Sequence, residues 1–355
     1  MVTTRRSLAG RRKCLVTGGA GFLGKHLVQQ LQDSGRYDVS VFDIRDAGIS
    51  GVQTVVGDLR DQAQVEAAVA GCDTVFHCAT AAPAAANTAN KKLMHDVNVR
   101  GTENIIAACE SQGVARLVYT SSASVVFDGR DLINVNEDAP YAARPIDYYT
   151  ETKVLGEKLV LAANGRGGLA TVALRPSGIF GEGDPLLVPL TVAKAKEGKM
   201  KFIIGSGENL MDFTYVGNVA QAHLQAADAL AGSQPACAGK AYFITNAEPR
   251  PFWGFLGDLL EPLGYQRPST KLPWRLIFFI AVLVELIIWL LKPFKTIAAS
   301  EFTPMRIRIA KATRQLDCSR ACQDLGYAPK VAIDEALQRT VKHFSYLSTY
   351  GNGPS

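Results

Sequence analysis

A glycine-rich segment near the start of the chain limits the possible folds more than any other feature. The apolar run Cys14–Thr17 is typical of a buried strand, and it is followed by Gly-Gly-Ala-Gly-Phe-Leu-Gly and a helix-compatible stretch. Spaced glycines allow a tight turn, a close approach of the backbone to a phosphate, and close packing of helix on strand. The positive end of the helix favours an anion there. The segment therefore predicts a pyrophosphate-binding turn formed by Gly18, Gly21, Phe22, Leu23 and Gly24.

Strands and helices are predicted to alternate over the first half of the chain. The strand-like runs are Cys14–Thr17, Val39–Phe42, Thr54–Val56, Thr74–Cys78, Leu117–Thr120 and Thr171–Leu174. The helix-like stretches between them are Gly24–Ser34, Asp61–Ala70, Lys92–Gln112 and Asp147–Ala163. Because parallel strands need crossover connections, this order indicates an α/β fold with a doubly wound parallel sheet of the Rossmann type.

The pattern changes after Arg175, where proline and glycine become frequent. Loops of this kind commonly form substrate caps at the carboxyl end of a parallel sheet. We therefore expect a basic arm at 1–12, a dinucleotide-binding domain at 13–175 and a substrate cap at 176–355, with parts of 176–250 returning to the main sheet. Beyond Phe302 the sequence contains no chemical motif.

An acidic residue follows the second predicted strand. Asp43 lies nineteen residues after Gly24, where a carboxylate can accept hydrogen bonds from the adenosine ribose and would repel a 2′-phosphate. This position favours NAD, although Arg45 leaves NADP open because a guanidinium can pair with a phosphate. Further contacts to the dinucleotide are expected after two later strands, from Asp58, Leu59 and Ala79.

Tyr149 and Lys153 are one helical turn apart on the helix predicted at Asp147–Ala163. A phenol is a poor base at neutral pH, but an adjacent cation favours its phenolate, so the pair could abstract a proton. Just upstream, a strand runs into small hydroxyl residues that could place a hydroxyl beside a reacting carbonyl oxygen. Among them, Ser121 and Ser124 are expected to cap backbone groups instead.

The segment Leu276–Leu291 is sixteen residues long and contains a single charged residue, Glu285. At 1.5 Å per residue it reaches roughly 24 Å, which is less than the roughly 30 Å of a bilayer core. Flanking cations at Arg275, Lys292 and Lys295 suit lipid headgroups, so membrane attachment is favoured. A buried core helix is the alternative.

The formal net charge of +5 is concentrated at the amino terminus, in Arg5, Arg6, Arg11, Arg12 and Lys13. The rest of the chain has 33 basic and 33 acidic residues, which gives no indication of a nucleic-acid partner. The seven scattered cysteines predict reduced, mostly buried thiols rather than a metal site. His77 lies in an apolar strand and is interpreted as a hydrogen-bonded buried histidine rather than a catalyst.

Three segments resemble those of the extended short-chain dehydrogenases: Thr17–Gly24, Tyr119–Phe127 and Tyr148–Lys153. Two more, Ala173–Gly181 and Asp212–Val219, are similar to those of the 3β-hydroxysteroid dehydrogenase group within that family. The resemblance covers about residues 12 to 345, and it is more specific in the dinucleotide-binding half.

The resemblance implies a role for each matching residue. Tyr149 would be the general base, and Lys153 would lower its pKa and hold the nicotinamide ribose. Ser122 would polarise the substrate oxygen, and Asn98 would support the active-site wall or a proton path. The nicotinamide would be bordered by Pro176 and Ser177.

The resemblance also implies an activity, that of the decarboxylating branch of this group. These enzymes use NAD to oxidise the 3β-hydroxyl of a 4α-carboxysterol, which then loses its C4 carboxyl as carbon dioxide without a metal. The implied setting is the endoplasmic reticulum membrane, with the active domain facing the cytosol, and the implied partners are membrane lipid, other enzymes of sterol C4 demethylation and a second copy of the chain. The alternatives are a dehydrogenase/isomerase without decarboxylation, a nucleotide-sugar epimerase and a non-catalytic NAD-binding scaffold.

Overall fold

A computed structural model describes residues 10–82, 90–291 and 302–349, so most of the basic arm and the cations at 292 and 295 lie outside the described residues. The described residues form fifteen strands: β1 (Arg12–Thr17), β2 (Tyr37–Asp43), β3 (Gln53–Val56), β4 (Thr74–His77), β5 (Arg116–Thr120), β6 (Leu132–Val135), β7 (Ala170–Pro176), β8 (Ile179–Phe180), β9 (Phe202–Ile204), β10 (Leu210–Met211), β11 (Thr214–Tyr215), β12 (Lys240–Ile244), β13 (Arg250–Pro251), β14 (Thr270–Leu272) and β15 (Arg314–Leu316).

The same residues form twelve α-helices: α1 (Phe22–Asp33), α2 (Gln62–Val69), α3 (Lys91–His95), α4 (Gly101–Gln112), α5 (Tyr148–Ala162), α6 (Leu187–Lys196), α7 (Val216–Ala229), α8 (Phe252–Leu260), α9 (Trp274–Leu291), α10 (Pro304–Lys311), α11 (Ser319–Leu325) and α12 (Ile333–His343). A π-helical turn, Asp96–Arg100, joins α3 to α4. The predicted helix at Lys92–Gln112 is therefore present, with this wider turn inside it.

The main sheet contains seven parallel strands in the order β12-β7-β5-β4-β1-β2-β3. From β1 the chain proceeds to one edge through β2 and β3, and then returns to the other side of β1 at β4. Strand order reverses between β1 and β4, and a crevice forms at the carboxyl ends of strands at such a point. The predicted doubly wound parallel sheet is confirmed.

Alternate residues of β1 enter different parts of the core. Cys14 and Val16 pack in one cluster with Leu27 of α1, whereas Leu15 packs in another with Ile105 of α4. Successive side chains of a strand point to opposite faces, so both faces of this sheet are covered by helices. This explains why β1 is an unbroken apolar run.

A second core lies in the later part of the chain. It contains the stacked rings of Phe213 and Phe255, whose centres are 3.6 Å apart, and a four-stranded sheet in the order β13-β10-β15-β6 lies nearby in the fold. Strand β6 in that sheet comes from the first half of the chain, and β12 lies in the main sheet. The two halves are thus interleaved, and the division of the chain into a dinucleotide-binding domain and a cap stays a prediction.

Helix α9 is apolar and projects from the rest of the protein. Its eighteen residues have a mean hydropathy of 2.4, and only 6% of them are buried. It packs against α10 near its beginning, where Lys311 lies 5.0 Å from the ring of Trp274 and Arg308 lies 5.1 Å from the ring of Phe278. A core helix would be covered by protein, so the buried-helix alternative is wrong.

Candidate active site

The glycine turn between β1 and α1 is packed so closely that side chains do not fit. A Cβ at Gly24 would lie 2.1 Å from the carbonyl oxygen of Gly18, and a Cβ at Gly18 would lie 2.7 Å from the amide nitrogen of Ala79. Gly18 also has a φ of +73°, a left-handed conformation that glycine adopts at low cost. The turn therefore holds β1, α1 and the segment after β4 together at the crevice.

The first turn of α1 fits an anionic ligand. Gly21 directly precedes this helix at its N-cap position, no side chain among the described residues caps it, and its first turn contains no acidic residue. Phe22 and Leu23 are its first two residues. Backbone amides that lack an internal partner at a helix start bind phosphates well. The residues present thus fit a dinucleotide pyrophosphate.

Asp43 ends β2 beside this turn. One of its carboxylate oxygens accepts a hydrogen bond from the amide of Ala20 at 3.0 Å. Arg45 lies close by, because its guanidinium donates to the carbonyl oxygen of Ala20 at 3.3 Å. A carboxylate and a guanidinium therefore flank the predicted adenosine ribose position.

The other predicted contacts also lie at the carboxyl edge of the sheet. Asp58 forms an ion pair with Arg60, whose Nε is 2.9 Å from Oδ2, and this pairing lowers the pKa of the Asp58 carboxyl. Leu59 is buried, and its carbonyl accepts a hydrogen bond from Asn104 at 2.8 Å. The carboxylate of Asp58 is thus already paired with Arg60, whereas Ala79 lies directly against Gly18.

His77 is a buried structural residue. Its Nδ1 lies 2.7 Å from the hydroxyl of Thr17 and its Nε2 lies 3.0 Å from that of Thr102. Burial lowers the pKa of His77 to about 3, and the charge of Lys153 acts in the same direction. A neutral, doubly hydrogen-bonded imidazole confirms the interpretation made from the sequence.

Tyr149 and Lys153 lie in the first two turns of α5, which Asp147 caps by accepting a hydrogen bond from the amide of Thr150 at 2.8 Å. The ammonium of Lys153 donates to the carbonyl oxygen of Thr120 at 2.7 Å and lies 6.0 Å from the ring centre of Tyr149. Burial lowers the pKa of Lys153 to about 8. Lys153 is therefore still charged in most molecules at neutral pH.

The pKa of the Tyr149 phenol differs from the expectation. Burial raises its pKa to about 12, the charge of Asp147 adds to this rise, and a hydrogen bond with Thr80 opposes it. Lys153 does not contribute to the expected lowering of this pKa in the protein alone, and its ammonium donates to the carbonyl oxygen of Thr120. Sequence spacing placed the two groups on one face but could not reveal this competing carbonyl.

Ser122 lies at the end of β5, where the chain enters a short 3₁₀ turn, Ala123–Val126. Its Oγ lies 2.8 Å from the Oγ of Ser124 and accepts a hydrogen bond from the amide of Ser124 at 3.2 Å. The expectation that Ser121 and Ser124 cap the backbone was wrong, since Ser122 does so. The buried hydroxyl of Ser121 has no partner among the described residues. Ser122 remains half-buried beside α5.

Asn98 holds the segment after β4 against the catalytic helix. Its side-chain oxygen accepts hydrogen bonds from the hydroxyl of Thr80 at 3.0 Å and the amide of Ala81 at 2.7 Å. Its side-chain nitrogen donates to the hydroxyl of Thr152 at 2.9 Å. The π-helical turn directs Asn98 inward, because the extra residue shifts the helix register. Thr80 thereby connects Asn98 with Tyr149, a contact that the sequence reasoning missed and that no local motif indicates.

Pro176 and Ser177 lie at the carboxyl end of β7. The amide of Ser177 donates to Ile244 O at 3.3 Å, and its carbonyl accepts from the Thr214 hydroxyl at 2.6 Å. Both residues therefore lie at the same edge of the sheet as the end of β5. The sheet brings the predicted groups to one edge, because all its strands are parallel.

A buried ion pair supports the far side of the catalytic helix, and the sequence reasoning also missed it. Glu157 lies one turn beyond Lys153, is completely buried, and accepts hydrogen bonds from Arg175 at 2.6 and 3.0 Å and from Tyr141 at 2.7 Å. The negative charge of Glu157 acts to raise the pKa of Lys153, against the effect of burial. Glu157 thus helps to keep Lys153 protonated.

Comparison with known proteins places the chain among dehydrogenases. The sequence profile of the 3-beta hydroxysteroid dehydrogenase/isomerase family matches residues 15–274. A mouse protein named sterol-4-alpha-carboxylate 3-dehydrogenase, decarboxylating, is 46% identical over 338 residues, which are 95% of this chain and 92% of the mouse protein. The Saccharomyces cerevisiae protein of that name is 37% identical over 92% of this chain and 96% of its own length.

Solved structures share the fold at lower identity. One is a Thermus thermophilus UDP-glucose 4-epimerase in complex with NAD, which is 24% identical with a TM-score of 0.69 and covers 96% of this chain and all of its own. At this identity the likeness establishes the fold but no particular substrate.

Proposed function

The chain belongs to the 3-beta hydroxysteroid dehydrogenase/isomerase family, and we propose that it uses NAD to oxidise the 3β-hydroxyl of a 4α-carboxysterol and releases the C4 carboxyl group as carbon dioxide. The observation that carries this proposal is 46% identity over 95% of the chain to a decarboxylating sterol-4-alpha-carboxylate 3-dehydrogenase. The exposed apolar helix α9 supports it separately, because sterols partition into bilayers and an attached enzyme meets them there.

The residues of the glycine turn would hold the cofactor. Gly18, Gly21 and the first amides of α1 fit the pyrophosphate, and Asp43 fits the adenosine ribose. Bound NAD would supply the acceptor for the hydride that leaves C3 of the sterol. Pro176 and Ser177 would border the nicotinamide side of the crevice.

Tyr149 takes the proton of the sterol hydroxyl onto its phenolate oxygen. Since burial raises the pKa of this phenol to about 12, the phenolate forms only when positive charge stabilises it. Lys153 would provide such a charge at neutral pH by turning its ammonium from the carbonyl of Thr120 toward the phenol, and Glu157 helps to keep it protonated. Ser122 donates a hydrogen bond to the substrate oxygen as it becomes a carbonyl.

Decarboxylation follows from the ketone at C3. The ketone lies β to the C4 carboxylate, so the bond between C4 and the carboxyl carbon can break with its electron pair passing to the ketone oxygen. Carbon dioxide leaves, and a proton added at C4 converts the enolate into the product ketone. The hydroxyls of Ser122 and Tyr149 stabilise the oxyanion, which requires no metal.

The test is NADH formation from a 4α-carboxysterol in liposomes, with the product mass determined. We expect NADH together with loss of the carboxyl mass, and we expect Tyr149→Phe to abolish both. Tyr148→Phe is a matched control, because that neighbouring ring lies over Lys91 rather than Lys153. NADH formation with the carboxyl group retained would contradict decarboxylation, and equal activity of the two variants would contradict the role of Tyr149.

Attachment to a membrane is part of the proposal, and the path of the chain restricts its form. Residues before α9 and residues after it belong to one folded body: β15 pairs with β10 and β6, and Ile333 of α12 lies in the second core. A single crossing of the bilayer by α9 would separate them. We therefore propose that α9 enters one leaflet without crossing, on the cytosolic face of the endoplasmic reticulum.

The cations near the start of α9 fit a helix that enters one leaflet from the cytosolic face. Arg275 is the second residue of the helix, and Arg308 and Lys311 lie over its first aromatic rings. Such groups stabilise a helix at the level of anionic headgroups by about 1 kcal/mol each. Association with other enzymes of sterol C4 demethylation and pairing with a second copy of the chain are further proposals that follow from the family.

Thiol labelling tests this topology. Cys322 is exposed and follows α9 in the chain, so a membrane-impermeant maleimide applied to the cytosolic face of sealed microsomes should modify it, with Cys322→Ser as the control. An amino-terminal tag should be accessible from the same face. Protection of Cys322 with exposure of the tag would refute the one-leaflet arrangement.

A further inference from the structure

Arg314, in the later part of the chain, is a partly buried cation without an acidic partner among the described residues. It lies in β15, its Nε is shielded from solvent without a hydrogen-bond partner, and no carboxylate among the described residues lies within ion-pairing distance. Burial lowers its pKa to about 10, and no charged neighbour contributes. Arg175, a buried arginine elsewhere in the fold, is held by Glu157 at 2.6 Å. Arg314 is therefore charged at neutral pH and incompletely compensated.

Two aromatic rings flank the guanidinium. Its central carbon lies 5.5 Å from the ring centre of Phe127 and 5.8 Å from that of Phe252. Cation–π contacts of this kind recover about 1–2 kcal/mol, which is less than the cost of removing a guanidinium from water. Because the rings of Phe127 and Phe252 lie beside the guanidinium, its terminal nitrogens remain as the donors for a planar anion. An apolar setting also strengthens any ion pair formed there.

The position of Arg314 relates it to the catalytic groups on two sides. Phe127 directly follows the short turn that Ser122 begins. On the other side, Arg314 pairs with Met211, and the Met211 side chain lies 2.7 Å from where a Cβ of Gly178 would be, next to Ser177. Arg314 therefore lies in the cap layer over the edge of the sheet that carries the predicted site.

We propose that Arg314 binds the carboxylate at C4 of the substrate. This inference rests on the proposed function, in which the carboxylate is attached one carbon from the reacting C3. With the C3 oxygen held by Ser122 and Tyr149, the carboxylate extends toward the cap, and a guanidinium matches its two oxygens with two parallel hydrogen bonds. After carbon dioxide leaves, the neutral ketone no longer has this anchor, so the same arrangement favours product release.

The test compares binding of a 4α-carboxysterol and its neutral 4α-hydroxymethyl analogue to the full-length protein loaded with NADH. We expect Arg314→Met to weaken the carboxysterol by about 10- to 100-fold, the loss for hydrogen bonds between charged groups, and to change the neutral analogue by less than about threefold. Arg314→Lys should recover part of the difference. Arg130→Met is the matched control, because Arg130 is exposed on the loop just beyond Phe127 and pairs with Asp128.

Stability separates recognition from a structural role. Removal of a partly buried cation that has no acidic partner among the described residues is neutral or stabilising, so we expect Arg314→Met to unfold at the same or higher urea concentration. Equal weakening of both ligands, or unchanged carboxysterol binding, would overturn the assignment. If the wild-type protein binds the neutral sterol but not the carboxysterol, the proposed function itself fails; if it binds both and only the variant comparison is negative, Arg314 alone is excluded.

Discussion

Replacement of Gly24 by alanine tests whether the glycine turn holds the cofactor. At an open helical position this change stabilises a protein by about 1 kcal/mol, because alanine is the better helix former. At Gly24 the new Cβ would lie 2.1 Å from the carbonyl oxygen of Gly18, whereas real Cβ contacts are essentially never under 3.0 Å. The 0.9 Å difference must come from the backbone, since neither atom belongs to a movable side chain.

The strain from the added Cβ decides whether Gly24→Ala raises or lowers the free energy of unfolding. Overpacking costs about 1–3 kcal/mol, and a backbone contact lies at the upper end, so a net loss of about 2 kcal/mol in the free energy of unfolding remains after the helix-propensity gain. The turn must also move away from the position in which its amides face the pyrophosphate. We expect NADH affinity to fall by about 10- to 100-fold, with each 1.4 kcal/mol giving a factor of ten.

Fluorescence titration with NADH and urea unfolding measure the two effects. Gly254→Ala in α8 is the helical control, because its Cβ would meet only Pro251 at an ordinary 3.4 Å, and it should leave affinity unchanged. Gly21→Ala, with its contact at 3.1 Å, should be intermediate. If Gly24→Ala bound NADH as tightly as wild type at unchanged stability, the reasoning on close packing would be refuted.

Three further outcomes follow from the site. Thr80→Val should lower kcat roughly tenfold and shift the acidic limb of the pH–rate profile, where activity rises as Tyr149 loses its proton, to higher pH, because the Thr80 hydroxyl lowers the pKa of Tyr149. Thr80→Ser should restore both, and an unshifted profile would exclude this link. Glu157→Gln should reduce the free energy of unfolding by about 3–5 kcal/mol, because it leaves Arg175 buried without a counter-charge. A loss under about 1 kcal/mol in urea titration would contradict this. Stability should also fall as the pH drops below 6.5. Burial lowers the pKa of His77 to about 3 and that of His223 to about 4, so only the unfolded chain takes up these two protons, and they outweigh Asp212, whose pKa burial raises to about 6 with the opposite effect. The net slope is up to about 1.4 kcal/mol per pH unit, and denaturation midpoints that stay level between pH 6.5 and 5 would rule it out.

Much of the dinucleotide half was determined by the sequence alone. Apolar runs separated by helix-compatible stretches specify parallel strands with crossovers, and the turn from Gly18 to Gly24 is local, so its spacing is visible in the sequence. The positions of Tyr149 and Lys153 on one face of α5 are equally local, since they follow from the helical repeat. These predictions needed no knowledge of distant contacts.

Tertiary structure decided the features that depend on residues far apart in the chain. The carbonyl of Thr120 that takes the ammonium of Lys153, the link from Asn98 through Thr80 to Tyr149, and the burial that raises the pKa of that phenol all arise between separate elements. Arg314 looks like an ordinary basic residue in a tail without motifs. It lacks an acidic partner among the described residues because of the space around it, since desolvation and charge pairing depend on which groups the fold brings together rather than on neighbours in sequence.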